Sequence, residues 1–211
     1  RAAELKDLLD HIEQGATSSG LQGLGGVGKT ALALKLAEKL SEKYLDAQFY
    51  LDLKGASDQK PLTVAEALAH VVRAFHPDSK LPDDEAQLRG LYQSVLHGQR
   101  ALLLMDNAAD RAQVEPLMPP AACCLIVTSR QHFTLPGLPA QNLEVMSPDD
   151  ARDLLIKIAP RIASNPHPNP PPQAGEGTSG MGAGVVNEIA SLCAYLPLAL
   201  RAAASTLAEE I

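Results

Sequence analysis

The sequence predicts an α/β domain built on a parallel sheet with helices on both faces, and three observations carry that reading. Short apolar runs alternate along the chain with stretches of helical periodicity, the order expected of strand-helix-strand units. Two of those runs, residues 101–105 and 123–128, are continuous apolar segments of the kind found in strands buried on both faces. The chain's 211 residues suffice to bury most of the surface exposed on unfolding, without disulfides or a structural metal.

Leu5, Leu8, Leu9 and Ile12 recur at helical spacing among Glu4, Lys6, Asp7 and Glu13, which predicts an opening amphipathic helix ended at Gly15. Residues 16–22 stand where a strand must lead into a glycine-rich turn, and a strand is expected there despite little β-branched or large apolar material. After the turn, Leu32, Leu36 and Leu40 with Ala33 and Ala37 form one apolar stripe facing away from Lys35, Glu38, Lys39 and Glu42, a helical pattern. Residues 48–53 read as a short strand stopped by Lys54 and Gly55. Thr63 and Glu66 have capping-box spacing and open a helix through Leu68, Val71, Val72 and Phe75 to Pro77. Another starts near residues 83–85 and runs through Leu88, Leu91, Tyr92, Val95 and Leu96 to Gly98.

The strand at 101–105 delivers Asp106 to its C-terminal end, and a short helix over 110–117 stops at Pro119 and Pro120. The strand at 123–128 ends at Ser129 and Arg130, and a fifth, weaker strand closes at Val145. Ser147, Pro148, Asp149 and Asp150 supply an N-cap, a proline at the first helical position and two first-turn carboxylates, predicting a helix to about Ala159. Proline and glycine then crowd residues 160–184, which predicts a disordered insertion. Helices resume over 185–194 and from Leu198 onward.

Composition removes several functions. With 18 Lys+Arg against 25 Asp+Glu the formal charge is −7, so there is no basic excess to displace phosphate counterions, and at 3% aromatic residues the chain makes a poor base-stacking platform. Direct nucleic-acid binding is therefore not expected. Cys123, Cys124 and Cys193 form no C-x-x-C pair and read as small core residues, while the histidines show no zinc-ligand spacing. Apolar stretches fall far short of the ~18 residues a membrane span needs, and the opening residues lack the core of a signal peptide. A cytoplasmic domain excised from a longer protein is expected.

Gly23-Leu24-Gly25-Gly26-Val27-Gly28-Lys29-Thr30 matches G-x-x-x-x-G-K-[ST] directly before a strong helix. Loop N–H groups and the positive end of that helix would face phosphates, and a side chain in place of glycine would block their approach. Lys29 is expected between the β- and γ-phosphates, with the Thr30 hydroxyl completing a Mg²⁺ coordination shell. Asp106 is the candidate carboxylate on the metal side, and Arg130 would bring a guanidinium toward the phosphates from the next apolar strand. Asn107 stands where hydrolysing relatives often carry a second carboxylate, and an amide takes no proton from water at neutral pH, so slow turnover is expected unless another group, such as Asp110, substitutes.

These residues resemble the NB-ARC nucleotide-binding domain of the STAND class of P-loop signalling NTPases, in the version found in bacterial regulators. The match covers nearly the whole chain: residues 23–32 for the first motif, 104–108 for the second, 127–130 for the sensor motif and 196–200 for the fourth. Arg1 resembles the end of the family's entry motif. The resemblance implies a five-stranded parallel sheet over residues 1–146, with the Arg130 strand between the loop strand and the Asp106 strand. A helical subdomain over 147–211 would follow. It further implies binding of ADP or ATP with Mg²⁺ through Arg1, Gly23, Gly25, Gly26, Val27, Gly28, Lys29, Thr30, Ala31 and the Pro197 region. Flanking winged-helix and repeat or sensor domains, and an ATP-dependent homo-oligomer, are implied as partners. Two positions depart from the pattern: residues 17–20 are polar where the family has an apolar strand, and Tyr195 replaces a frequent glycine.

The function that follows is a nucleotide-dependent switch with slow hydrolysis. A small-molecule kinase is the alternative, but the nine arginines are dispersed and form no lid cluster. A scaffold holding structural ADP, its Pro-rich segment docking a partner, is the third reading.

Overall fold

A computed structural model describes residues 1–56, 60–78, 80–160 and 181–209. The elements are α1 (Ala2–Glu13), β1 (Ser18–Gln22), α2 (Lys29–Leu40), β2 (Ala47–Asp52), α3 (Val64–Phe75), α4 (Glu85–Leu96), β3 (Ala101–Ala108), α5 (Arg111–Val114), β4 (Cys124–Ser129), β5 (Ala140–Asn142), α6 (Pro148–Ile158), α7 (Met181–Leu192) and α8 (Pro197–Glu209). They fall into two compact units. The described residues within 1–24 and 29–143 form the first, and those within 144–211 with the loop residues 25–28 form the second.

In the first unit the strands form one five-stranded sheet in the order β2-β3-β4-β1-β5, all parallel, so the Arg130 strand lies between the loop strand and the Asp106 strand as expected. Alternation of side chains gives the sheet two different faces. Phe49, Leu51, Leu53, Leu103, Met105, Leu125 and Val127 pack with Ala67, Leu68, Val71 and Val72 of α3 and Leu88, Tyr92 and Leu96 of α4 in the main core. The capping box that starts α3 is formed in both directions, Thr63 accepting from the Glu66 amide and Glu66 accepting from the Thr63 amide. The Tyr92 phenol is wholly buried and donates to the Leu117 carbonyl at 2.7 Å, and burial pushes its ionisation above the ordinary range. On the opposite face, α2 packs on β3 and β4 and buries Leu32, Ala33, Leu36 and Leu40.

Several boundaries differ from the sequence reading. β3 continues past Asp106 to Ala108 across a register irregularity between Met105 and Ala108. The fifth strand is Ala140–Asn142, so Val145 lies outside it. It is positioned by tertiary contact: Gly20 donates to the Pro139 carbonyl at 2.8 Å and Leu143 to the Gln22 carbonyl at 2.7 Å. Of the insertion expected over 160–184, residues 161–180 lie outside the described residues, while residues 181–184 belong to α7.

The second unit has its own core. Ala151 and Leu155 of α6, with its C-cap Ala159, meet Val186 and Ala190 of α7 and Leu200 and Ala204 of α8. Ser147 caps α6 by accepting from the Asp150 amide, with Pro148 at the first helical position. Ala194 and Tyr195, just ahead of α8, take φ values of 49° and 56°. Tyr195 thus holds the left-handed conformation that a glycine adopts freely, at the position where the resembled family often carries one.

Candidate functional site

The C-terminal ends of β1, β2, β3 and β4 converge on the first turns of α2, where open parallel sheets place their ligands. Gly23 directly follows β1, its φ of 138° is one only glycine adopts comfortably, and a Cβ there would lie 2.5 Å from the Leu143 carbonyl oxygen. Gly26 and Gly28 also have positive φ, at 79° and 99°. Gly25 is exposed, Val27 is fully buried, and Ala31 is exposed on the first turn of α2.

Lys29 opens α2 and folds back, its Nζ donating to the Gly23 carbonyl at 2.7 Å and the Leu24 carbonyl at 2.8 Å. Lys29 is 8% exposed, and its pKa is lowered by burial first and by the Arg130 guanidinium second, with the Asp106 carboxylate opposing both. Burial near a second cation is the setting in which added negative charge is most favoured. Arg130 follows the last residue of β4 and is exposed.

Asp106 is 6% exposed and gathers three hydroxyls. Thr30 Oγ1 donates at 2.9 Å to Oδ1 and lies 3.1 Å from Oδ2, Thr128 Oγ1 donates to Oδ1 at 2.5 Å, and the Tyr50 phenol donates to Oδ2 at 3.1 Å. Tyr50 ionises at about 12, raised by burial and then by the charges of Asp106 and Asp52. The set Thr30, Asp106 and Thr128 offers hard oxygen donors beside an ammonium, which fits Mg²⁺ bound with phosphates. Among the described residues no cluster of three His, Cys, Asp or Glu side chains would hold a metal by itself.

The sequence reading thus named Gly23, Lys29, Thr30, Asp106 and Arg130, and the fold brings all five to the ends of β1, β3 and β4 and the start of α2. Arg1 lies at the N-cap of α1, paired with Glu4 at 2.8 Å. Pro197 opens α8 in the second unit, where the next residue, Leu198, donates its N–H to the Gly26 carbonyl at 3.3 Å. Asp110, weighed as a substitute carboxylate, instead caps α5 by accepting from the Gln113 amide. Tyr50 and Asp52 were missed. Polar Gln48, Tyr50 and Asp52 alternate with apolar Phe49, Leu51 and Leu53, a signal that puts both on the face opposite the main core.

No protein-family model matches the chain. It is 36% identical to the regulatory protein AfsR of Streptomyces coelicolor over 222 residues, covering 99% of this chain and 20% of that protein. To the AfsR of Streptomyces griseus it is 37% identical over 197 residues, covering 90% of the chain and 18% of that protein. A probable disease resistance protein of Arabidopsis thaliana is 24% identical over 196 residues. The chain therefore spans about a fifth of the length of these relatives. Among solved structures, the Aeropyrum pernix Orc1 protein in complex with DNA superposes with a TM-score of 0.55 at 16% identity, covering 100% of this chain and 61% of that one. The STAND protein with a tetratricopeptide repeat sensor from Pyrococcus horikoshii gives 0.50 at 17% identity, covering 92% and 28%. At such identities the likeness is one of fold.

Proposed function

With these relatives the chain stands as an NB-ARC-like domain of the STAND class, a regulatory domain of P-loop NTPase type, and we propose that it is an adenine-nucleotide switch within a longer regulator. In this reading ADP holds a resting form, exchange for ATP changes the conformation and promotes self-association, and slow hydrolysis resets it. Lys29, Arg130 and the glycine loop would hold the phosphates, with Thr30 and Asp106 on the Mg²⁺ side. Mg²⁺ when bound would neutralise phosphate charge. The region of Pro197 would contact the adenosine, as the resemblance implies, and winged-helix and repeat or sensor domains would flank the chain in the cytoplasm.

One observation carries the proposal most directly. Thr30 and Asp106, 76 residues apart, meet within 2.9 Å beside the buried Lys29, the juxtaposition that a phosphate-bound Mg²⁺ requires.

A switch also demands that ADP and ATP bind with different affinities, because a ligand shifts an equilibrium only by its differential affinity for the two states. Calorimetric titration with ADP and with ATP in Mg²⁺ tests both points. Binding of each that disappears in Lys29→Ala, with unequal affinities, is expected. Absence of binding by either nucleotide would overturn the site, and equal affinities would overturn the switch.

A further inference from the structure

Asn107 leaves the site without the second carboxylate beside Asp106, and the fold supplies one from another strand. Asp52, the last residue of β2, pairs in register with Asp106 of β3. Residues opposite one another in a parallel pair share a face, so Asp52 lies on the α2 side of the sheet with Asp106 and Tyr50.

The chain just beyond Asp52 is tied to the end of β3 by two backbone hydrogen bonds. Leu53 donates to the Asp106 carbonyl at 2.8 Å and Gly55 to the Asn107 carbonyl at 2.7 Å. Gly55 approaches so closely that a Cβ would stand 2.1 Å from the Ala109 nitrogen. Lys54 and Asn107 both take φ of 57°, so two non-glycine residues in the left-handed conformation flank the Asp52–Asp106 pair. Such conformations persist only where the surroundings enforce them, and they cluster at working sites.

Asn107 spends its strained conformation on contacts to both sides. Its N–H donates to Thr128 Oγ1 at 2.9 Å, and its Nδ2 donates to Asp52 Oδ1 at 3.4 Å. The Lys54 amide donates to the same Oδ1 at 2.8 Å. Oδ2 of this exposed side chain has no hydrogen-bond partner among the described residues.

Building on the proposed nucleotide site, we infer that Asp52 is the water-activating carboxylate for triphosphate hydrolysis, with Asn107 as its positioning residue. The Asp52 carboxylate takes a proton from water as the water oxygen bonds to the terminal phosphorus. The bond from that phosphorus to the bridging oxygen breaks, its electron pair leaving with the nucleoside diphosphate, and the proton passes to the released phosphate. Asn107 contributes no base. It holds one oxygen of Asp52 and leaves the other for water.

The test uses the full chain as wild type, Asp52→Asn and Asp52→Glu. It reads binding of ATP and ADP in Mg²⁺ by calorimetry, thermal melting, and the fraction of protein-bound ATP converted to ADP in a single turnover. Asp52→Asn is expected to bind both nucleotides within about twofold of wild type and to melt with it, while conversion slows about 100-fold, the scale of general-base catalysis. Asp52→Glu, which keeps the carboxylate, should recover most of that loss. Conversion by Asp52→Asn at the wild-type rate overturns the inference, as does wild type that binds ATP without converting it. Loss of binding or a lowered melting point in Asp52→Asn assigns Asp52 a structural role and also overturns it. Wild type that binds neither nucleotide refutes the nucleotide site itself, a result distinct from the others.

Discussion

β1 and β3 both lie inside the sheet, both end at the same site, and they are held by opposite means. β3 contributes Leu103 and Met105, fully buried, to the main core, and Leu102 and Leu104 to the other face. β1 is buried at all five positions yet reads Ser-Ser-Gly-Leu-Gln. Two of its polar side chains are satisfied from the loop before β5: Ser18 Oγ donates to the Gly137 carbonyl, and Gln22 Nε2 donates to the Phe133 carbonyl at 2.6 Å. A strand of poor propensity can thus occupy the interior of a sheet when its neighbours supply the partners that water would otherwise give. The strand that supplies the phosphate loop depends on directional bonds, and the strand that supplies the carboxylate depends on apolar area.

Removing one contact from each strand should expose the difference. Leu103→Ala deletes a fully buried side chain and is expected to lower stability by about 2–5 kcal/mol, read by urea denaturation. Gln22→Ala, at a residue 5% exposed, strands the Phe133 carbonyl and should remove about 1–3 kcal/mol. Equal losses in the two variants would erase the contrast. At the end of β3, Asn107→Ala keeps the left-handed backbone without the amide that tolerates it, and a loss of about 1 kcal/mol is expected in the same measurement.

The smallest effect sharpens the comparison on the intervening strand. Burial raises the Cys124 thiol to about 11 from its ordinary 9.0, so between those values the unfolded chain has released a proton that the folded chain retains. Stability contributed by this group is intact below pH 9 and falls as pH rises toward 11. Cys124→Val should flatten that decline, which parallel melts of both proteins at pH 8 and pH 10 would detect.

The same contrast governs what could be read from the sequence. The apolar runs of β3 and β4, the helical stripes and the glycine-lysine-threonine turn are local patterns, and they located the sheet and the residues Lys29, Thr30, Asp106 and Arg130. β1 was expected from its place before the turn, because the partners of Ser18 and Gln22 lie more than 110 residues ahead, at Gly137 and Phe133. β5 is three residues long and takes its position from Gly20 and Gln22, so residues 140–145 carry little periodicity of their own. Asp52 and Tyr50 reach the site through the register of β2 on β3, a tertiary fact that residue spacing encodes only as a face.

The hydroxyls around Asp106 also dictate the sign of what can sit beside them. A carboxylate has no proton to offer, so Thr30, Thr128 and Tyr50 must each point their single O–H inward at it. Their oxygens are left with lone pairs alone, and that of Thr128 already accepts from the Asn107 N–H. One buried negative charge thereby turns the neutral, two-way hydroxyls of Thr30 and Tyr50 into acceptors that would repel an anion and receive a cation. Lys29 presents only donors. Acceptors about Asp106 and donors on Lys29 match a ligand that arrives as metal and phosphate together.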